Sequence, residues 1–198
     1  MNIGLYFGSF NPIHTGHLII ANEVAYHENL DQVWFVVSPQ NPLKETKTLL
    51  NEWHRLHLVQ IAIEDNPKLK ASSVEFKLPK PSYTSNTLAY LTESYPNHTF
   101  SLIMGGDSFC NLTKWLNYQY IIESFDLIVY SRAGFAIENT LGAKIKIVET
   151  SLLEISSTLI REKIKRGAPI DYWLPKAVAD EIINNNYYKL PANKPRDQ

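Results

Sequence analysis

The chain has 198 residues, about 1.3 common domain units, which suits one α/β core with appended helices and is too short for two independent cores. Hydrophobic residues at 44% and charged residues at 20% exclude intrinsic disorder and collagen-like repeats. Nineteen Lys and Arg against twenty Asp and Glu give a net charge of -1, which excludes attachment to nucleic acid by bulk electrostatics, so a phosphate-bearing ligand must be gripped locally.

From the N-terminus, Ile3 to Phe7 is a short apolar run ending at Gly8, the pattern of a buried strand followed by a turn. It carries no basic leader and no small-residue cleavage pattern, and no apolar run in the chain approaches the roughly 18 residues of a membrane span. A cytoplasmic protein with no membrane partner is therefore expected. A helix follows from His17 to about His27, then a strand from Val33 to Val37 closed by Ser38-Pro39. Beyond a polar loop with Pro42 and Lys44, Leu56, Val59 and Ile63 recur at helical spacing, and Pro67 stops that helix. Ala71 to Phe76 reads as a strand, Thr84 to Ser94 as a helix, and Phe100 to Met104 as a strand closed by Gly105-Gly106-Asp107. The single Cys110 precludes a disulfide framework or a multi-cysteine zinc site and fits a small core residue. Strands at Phe125 to Tyr130 and Ile145 to Val148 precede two final helices, one starting near Ser156 and one with Pro175 at its first position. Residues 1–190 then form one domain, and the polar stretch 191–198 a flexible tail.

Strands alternating with helices predict a Rossmann-like, doubly wound parallel sheet with C-terminal helices. Ligands of such sheets bind beyond the carboxyl ends of the strands. The polar, glycine-bearing segments Gly8 to His17, Pro39 to Lys44 and Gly105 to Ser108 all follow strands, which puts them on that one rim.

The decapeptide Gly8-Ser9-Phe10-Asn11-Pro12-Ile13-His14-Thr15-Gly16-His17 joins the first strand to the first helix. Amides at a helix start suit phosphate oxygens, and Gly8 and Gly16 would let a ligand approach the backbone. His14 and His17, three apart, would aim two imidazole donors at one phosphoryl group. Taken alone, the spacing also fits cap histidines or a metal pair, but no third metal ligand is evident and the whole decapeptide after a strand favours phosphate. Neither G-x-x-x-x-G-K-[ST], G-x-G-x-x-G nor G-x-S-x-G occurs. A second segment, Ile155-Ser156-Ser157-Thr158-Leu159-Ile160-Arg161, offers an N-cap serine, further hydroxyls and a guanidinium one turn later. Capping of an amphipathic helix is its plainer reading; beside the first segment, a second anion site is the better one.

These two segments closely resemble the nucleotidyltransferase superfamily marked by H-x-G-H and a late I-S-S-T-x-x-R. More narrowly, the chain is similar to the nicotinate-nucleotide adenylyltransferase family. The likeness runs to about Tyr188 through Pro42, Lys44, Arg55, Pro81-Ser82-Tyr83-Thr84, Thr87-Leu88, Gly105-Gly106-Asp107, Trp115, Arg132 and Leu174-Pro175, Val178, Tyr187-Tyr188. The resemblance implies transfer of AMP from ATP to nicotinate mononucleotide, with Mg²⁺ carried on the ATP phosphates and no metal held by the protein itself. It also implies that His14 and His17 bind the triphosphate and that Gly8, Ser9 and Phe10 shape the nucleotide cleft. Lys44, Ile155, Ser156, Ser157, Thr158, Arg161 and Arg132 would line or hold the phosphates. Tyr83, Thr84, Thr87, Gly105, Asp107 and Trp115 would form the acceptor side. Leu116 departs from the aromatic or polar residue that many members carry there, leaving nicotinate and nicotinamide mononucleotide both open as acceptors. Phosphopantetheine adenylyltransferase, within the same superfamily, and a catalytically silent nucleotide-binding sensor would also suit the two segments. A homo-oligomer is compatible with the sequence.

Overall fold

The computed structural model describes residues 1–40, 49–131, 137, 140–149 and 155–189. Lys44, Arg132 and the tail 191–198 therefore lie outside the described residues. Among the described residues, six strands form one sheet: β1 (Asn2–Gly8), β2 (Gln32–Val37), β3 (Leu69–Ser72), β4 (Thr99–Gly105), β5 (Asp126–Tyr130) and β6 (Ile145–Val148). Their order is β3-β2-β1-β4-β5-β6, and every pairing is parallel. Leu5 of β1 sits between Trp34 of β2 and Leu102 of β4.

Because neighbouring side chains on a strand point to opposite faces, the apolar strands feed two cores. Tyr6, Phe35, Ile103 and Ile128 pack on one face with Ala21 and Val24 of α1 (Thr15–His27), Leu58 and Val59 of α2 (Glu52–Ala62), and residues of α6 (Ser157–Lys165) and α7 (Lys176–Asn184). Leu5, Trp34, Leu102 and Val129 pack on the other with α3 (Thr84–Ser94), α4 (Gly106–Cys110) and α5 (Tyr118–Ser124). Strand order reverses between β1 and β4, so the crevice that such sheets use for ligands opens past Gly8 and Gly105. No helix of the described residues is long and apolar enough to cross a membrane.

Several boundaries differ from the expectations. Pairing of β3 with β2 ends at Val36 opposite Ser72, and Val74–Lys77 turns into a 3-10 helix rather than continuing the strand. That turn buries Glu75, which alternation alone would have left on a strand. Helix α2 ends at Ala62, short of Pro67. Pro175 is the cap preceding α7, its ψ of 143° still extended, rather than the first helical residue. The short α4 and α5 are too brief for a 3.6-residue period to register. Cys110 is exposed, not a core residue.

Candidate active site

The loop after β1 ends at His14, the N-cap of α1, with extended backbone angles of -147° and 168°. His14 and His17 form a capping box, in which Nδ1 of His17 accepts the His14 backbone N–H at 3.2 Å. Their rings stack at 3.6 Å and 21°. An Nδ1 that accepts has no proton, so neutral His17 carries its proton on Nε2 and presents a donor there. The edges of Phe10 at 5.1 Å and Tyr6 at 6.0 Å hold the His17 ring from the sheet side. His17 keeps solvent access, whereas His14 is 5% exposed, so the two rings are not equivalent donors.

Space and amides at this loop are used differently from the sequence expectation. A Cβ on Gly8 would meet the Phe10 ring at 2.8 Å, and one on Gly16 would meet the His14 ring at 3.1 Å. These glycines thus make room for the chain's own rings. Phe10, in the left-handed region (φ 44°), is buried beneath His17 instead of lining an open cleft. The Thr15 amide donates to the Trp173 carbonyl at 3.0 Å, and the His17 amide to the His14 carbonyl at 2.9 Å, so both are engaged within the chain.

The late segment is bound to this loop. Ser156 caps α6 by accepting from the Leu159 amide at 3.2 Å. The Ser157 hydroxyl donates to the Pro12 carbonyl at 2.8 Å, and Arg161 Nη1 donates to the Asn11 carbonyl at 2.7 Å. Arg161 Nη2 reaches Thr158 Oγ1 at 3.2 Å, and Ile155 packs partly against the core. The two segments are thus brought together, with Ser157 serving as a clasp rather than an outward donor.

Arg55, known from sequence only through the family likeness, emerges as the main internal anchor. It has 0% exposure, and Nε donates to the Leu50 carbonyl at 2.8 Å. Nη1 donates to Ser9 at 2.6 Å and Ser38 at 2.8 Å, and Nη2 to Pro39 at 3.1 Å. Burial pushes its pKa down, against attraction from Tyr188 and Glu52. Its signal in the sequence is a charged residue directly beside the apolar helical positions Leu56 and Val59.

On the other side of the switch point, Tyr83 caps α3 and Thr84 begins it, both partly exposed. Thr87 is buried and donates to Glu75 Oε1 at 2.8 Å, so its hydroxyl turns inward instead of toward an acceptor. Gly105 caps α4, Asp107 occupies its first turn, and half-buried Trp115 packs against the second core. Glu75, which no sequence motif singles out, is also buried here; a lone acid within an apolar run was its signal. Imidazole, guanidinium and hydroxyl groups on one rim can hold a polyphosphate and stabilise charge developing on it.

Comparison with known proteins fits this geometry. The cytidylyltransferase-like family model matches residues 5–163. The "Probable nicotinate-nucleotide adenylyltransferase" of Flavobacterium johnsoniae is 52% identical over 192 residues, covering 96% of this chain and 100% of that protein. The protein of the same name from Flavobacterium psychrophilum is 53% identical with the same coverage. A solved structure of Plasmodium falciparum nicotinic acid mononucleotide adenylyltransferase complexed with NaAD superimposes with a TM-score of 0.81 at 23% identity, covering 94% of this chain and 97% of that one. That likeness carries the fold. With the site's paired histidines, the extent of the family match and the half-identical relatives all in agreement, the chain belongs to the nicotinate-nucleotide adenylyltransferase family of cytidylyltransferase-like nucleotidyltransferases.

Proposed function

We propose that the chain transfers the AMP unit of ATP to nicotinate mononucleotide, giving nicotinate adenine dinucleotide and pyrophosphate. The observation that carries this reading is the stacked His14–His17 pair at the start of α1, bound through Asn11 and Pro12 to Arg161 and Ser157 of α6. A phosphate oxygen of the acceptor attacks the α-phosphorus, the bond to the β-phosphate oxygen breaks, and pyrophosphate leaves with that electron pair. Such a transfer needs positioning and charge stabilisation more than covalent chemistry. The His17 Nε2–H, with the guanidinium of Arg161, acts on the phosphates, while His14 supports His17 from below. Lys44, Arg132, Ser156 and Thr158 are assigned to the same phosphates. Tyr83, Thr84, Asp107 and Trp115 are assigned to the acceptor, with Trp115 stacking on its ring and contributing about 1 kcal/mol beyond area burial.

The donor set at the site is imidazole, hydroxyl and guanidinium, which suits phosphate oxygens rather than a caged metal. Mg²⁺ would be held through the ATP phosphates and would neutralise charge on the departing pyrophosphate.

The test is pyrophosphate release from ATP and Mg²⁺ with a panel of acceptors. Release is expected with nicotinate mononucleotide and not with phosphopantetheine. Turnover with phosphopantetheine alone overturns the assignment, preference for nicotinamide mononucleotide moves it to the amide, and no turnover with any acceptor favours a sensor.

A further inference from the structure

We propose that Glu75 is a positioning residue for the acceptor side of the site, a buried hydrogen-bond hub that sets the turn from Ser82 to Thr87. The proposal rests on the assignment of Tyr83 and Thr84 to the acceptor.

Glu75 lies in the 3-10 turn Val74–Lys77 after β3 and is 1% exposed. Its carboxyl is met by hydroxyls from separate parts of the chain. Thr87 Oγ1 of α3 closes a hydrogen bond of 2.8 Å to Oε1. The hydroxyls of Ser38, just beyond β2, and Ser82, before α3, lie close enough to draw the carboxyl's pKa down. Glu75 Oε2 and the buried Ser82 Oγ have no hydrogen-bond partner among the described residues, and a proton shared between them would complete the set. No cation among the described residues pairs with Glu75, and burial pushes its pKa up against the pull of Thr87, then Ser38, then Ser82.

A buried carboxyl without a counter-charge is costly, and an apolar residue would fill this position with less penalty. What the carboxyl adds is connection. The Thr87 amide donates to the Tyr83 carbonyl at 3.2 Å, and the Ser82 amide donates to the Gln40 carbonyl at 3.1 Å. The end of β2, residues 82–83 and the first turn of α3 are therefore joined around one side chain. Ser38 is itself held by Arg55 through its carbonyl, which links the hub to the loop carrying Ser9. A shift of Glu75 would move the backbone of Tyr83 and Thr84 while leaving the capping box of α1 in place.

The experiment compares wild type, Glu75→Gln and Glu75→Leu. Steady-state kinetics should give Glu75→Leu a KM for nicotinate mononucleotide raised about tenfold or more, with the KM for ATP within about twofold. Glu75→Gln keeps an acceptor oxygen for Thr87 and should stay near wild type. Amide hydrogen exchange provides a readout independent of turnover: residues 82–87 should exchange faster in Glu75→Leu alone, with β1 and β4 unchanged. Equal shifts in both KM values, Gln failing as badly as Leu, or unchanged exchange across 82–87 each overturn the proposal. An inactive wild type would overturn the acceptor assignment instead, a result the exchange comparison keeps separate.

Discussion

At the residue scale, the nitrogen that His17 turns inward decides what the outward one can do. Nδ1 accepts the His14 backbone N–H, so in the neutral ring the proton sits on Nε2. Such a donor is most useful if it strengthens as charge develops. His17→Ala should lower kcat by about 10²- to 10³-fold with only a few-fold change in ATP KM. A kcat near that of wild type would assign the ring to packing alone. The sequence showed the pair of histidines and their place after a strand. It could not show that His14 lies beneath His17, nor that the hydroxyls of Ser157 and Thr87 are consumed internally. Those outcomes depend on the Pro12 carbonyl, 145 positions from Ser157, and on the Glu75 carboxyl, 12 positions from Thr87.

At the element scale, loops after two neighbouring strands are held by one guanidinium. Arg55 reaches out from α2 and donates to carbonyls at Ser9, Ser38, Pro39 and Leu50. Arg55→Met keeps most of the stem but strands those acceptors, each lost bond to a buried group costing about 1–3 kcal/mol. Urea denaturation should show a loss of at least about 3 kcal/mol, and a loss under about 1 kcal/mol would mean that water replaces the guanidinium. Elements with a clear period were legible: α3 and β6 fall where the pattern put them. The Val74–Lys77 turn was not, because Val-Glu-Phe continues an apolar alternation although strand pairing with β2 stops at Ser72. Helices α4 and α5 offered five and seven residues, too few for a period, and α5 starts from Asn117 in the left-handed region.

At the scale of the whole molecule, the alternation of strands and helices was enough for a parallel sheet covered on both faces. The order of its strands rests on long-range pairing and came from the structure. Glu75 also affects global stability. Its carboxyl has a folded pKa above the ordinary 4.5, so the folded protein holds that proton more tightly than the unfolded chain does. The contribution is full below the unfolded pKa and is lost as pH rises through the folded one. Glu75→Gln has no proton to lose there. Its stability relative to wild type should therefore climb between about pH 4 and the folded pKa, then level off, as read by urea denaturation over about pH 4 to 8. A difference independent of pH would show that the acid titrates alike in both states.

The hold of Tyr172 and Trp173 on Thr15 has a consequence for how the protein is made. Thr15 donates through its hydroxyl to a carbonyl 157 positions later and through its amide to the next one. A ribosome delivers the histidine-bearing loop long before the carbonyls that anchor it. A nascent chain arrested before Tyr172 would thus carry every residue of that loop yet lack the grip that orients it, so the loop would mature only once Tyr172 and Trp173 had followed.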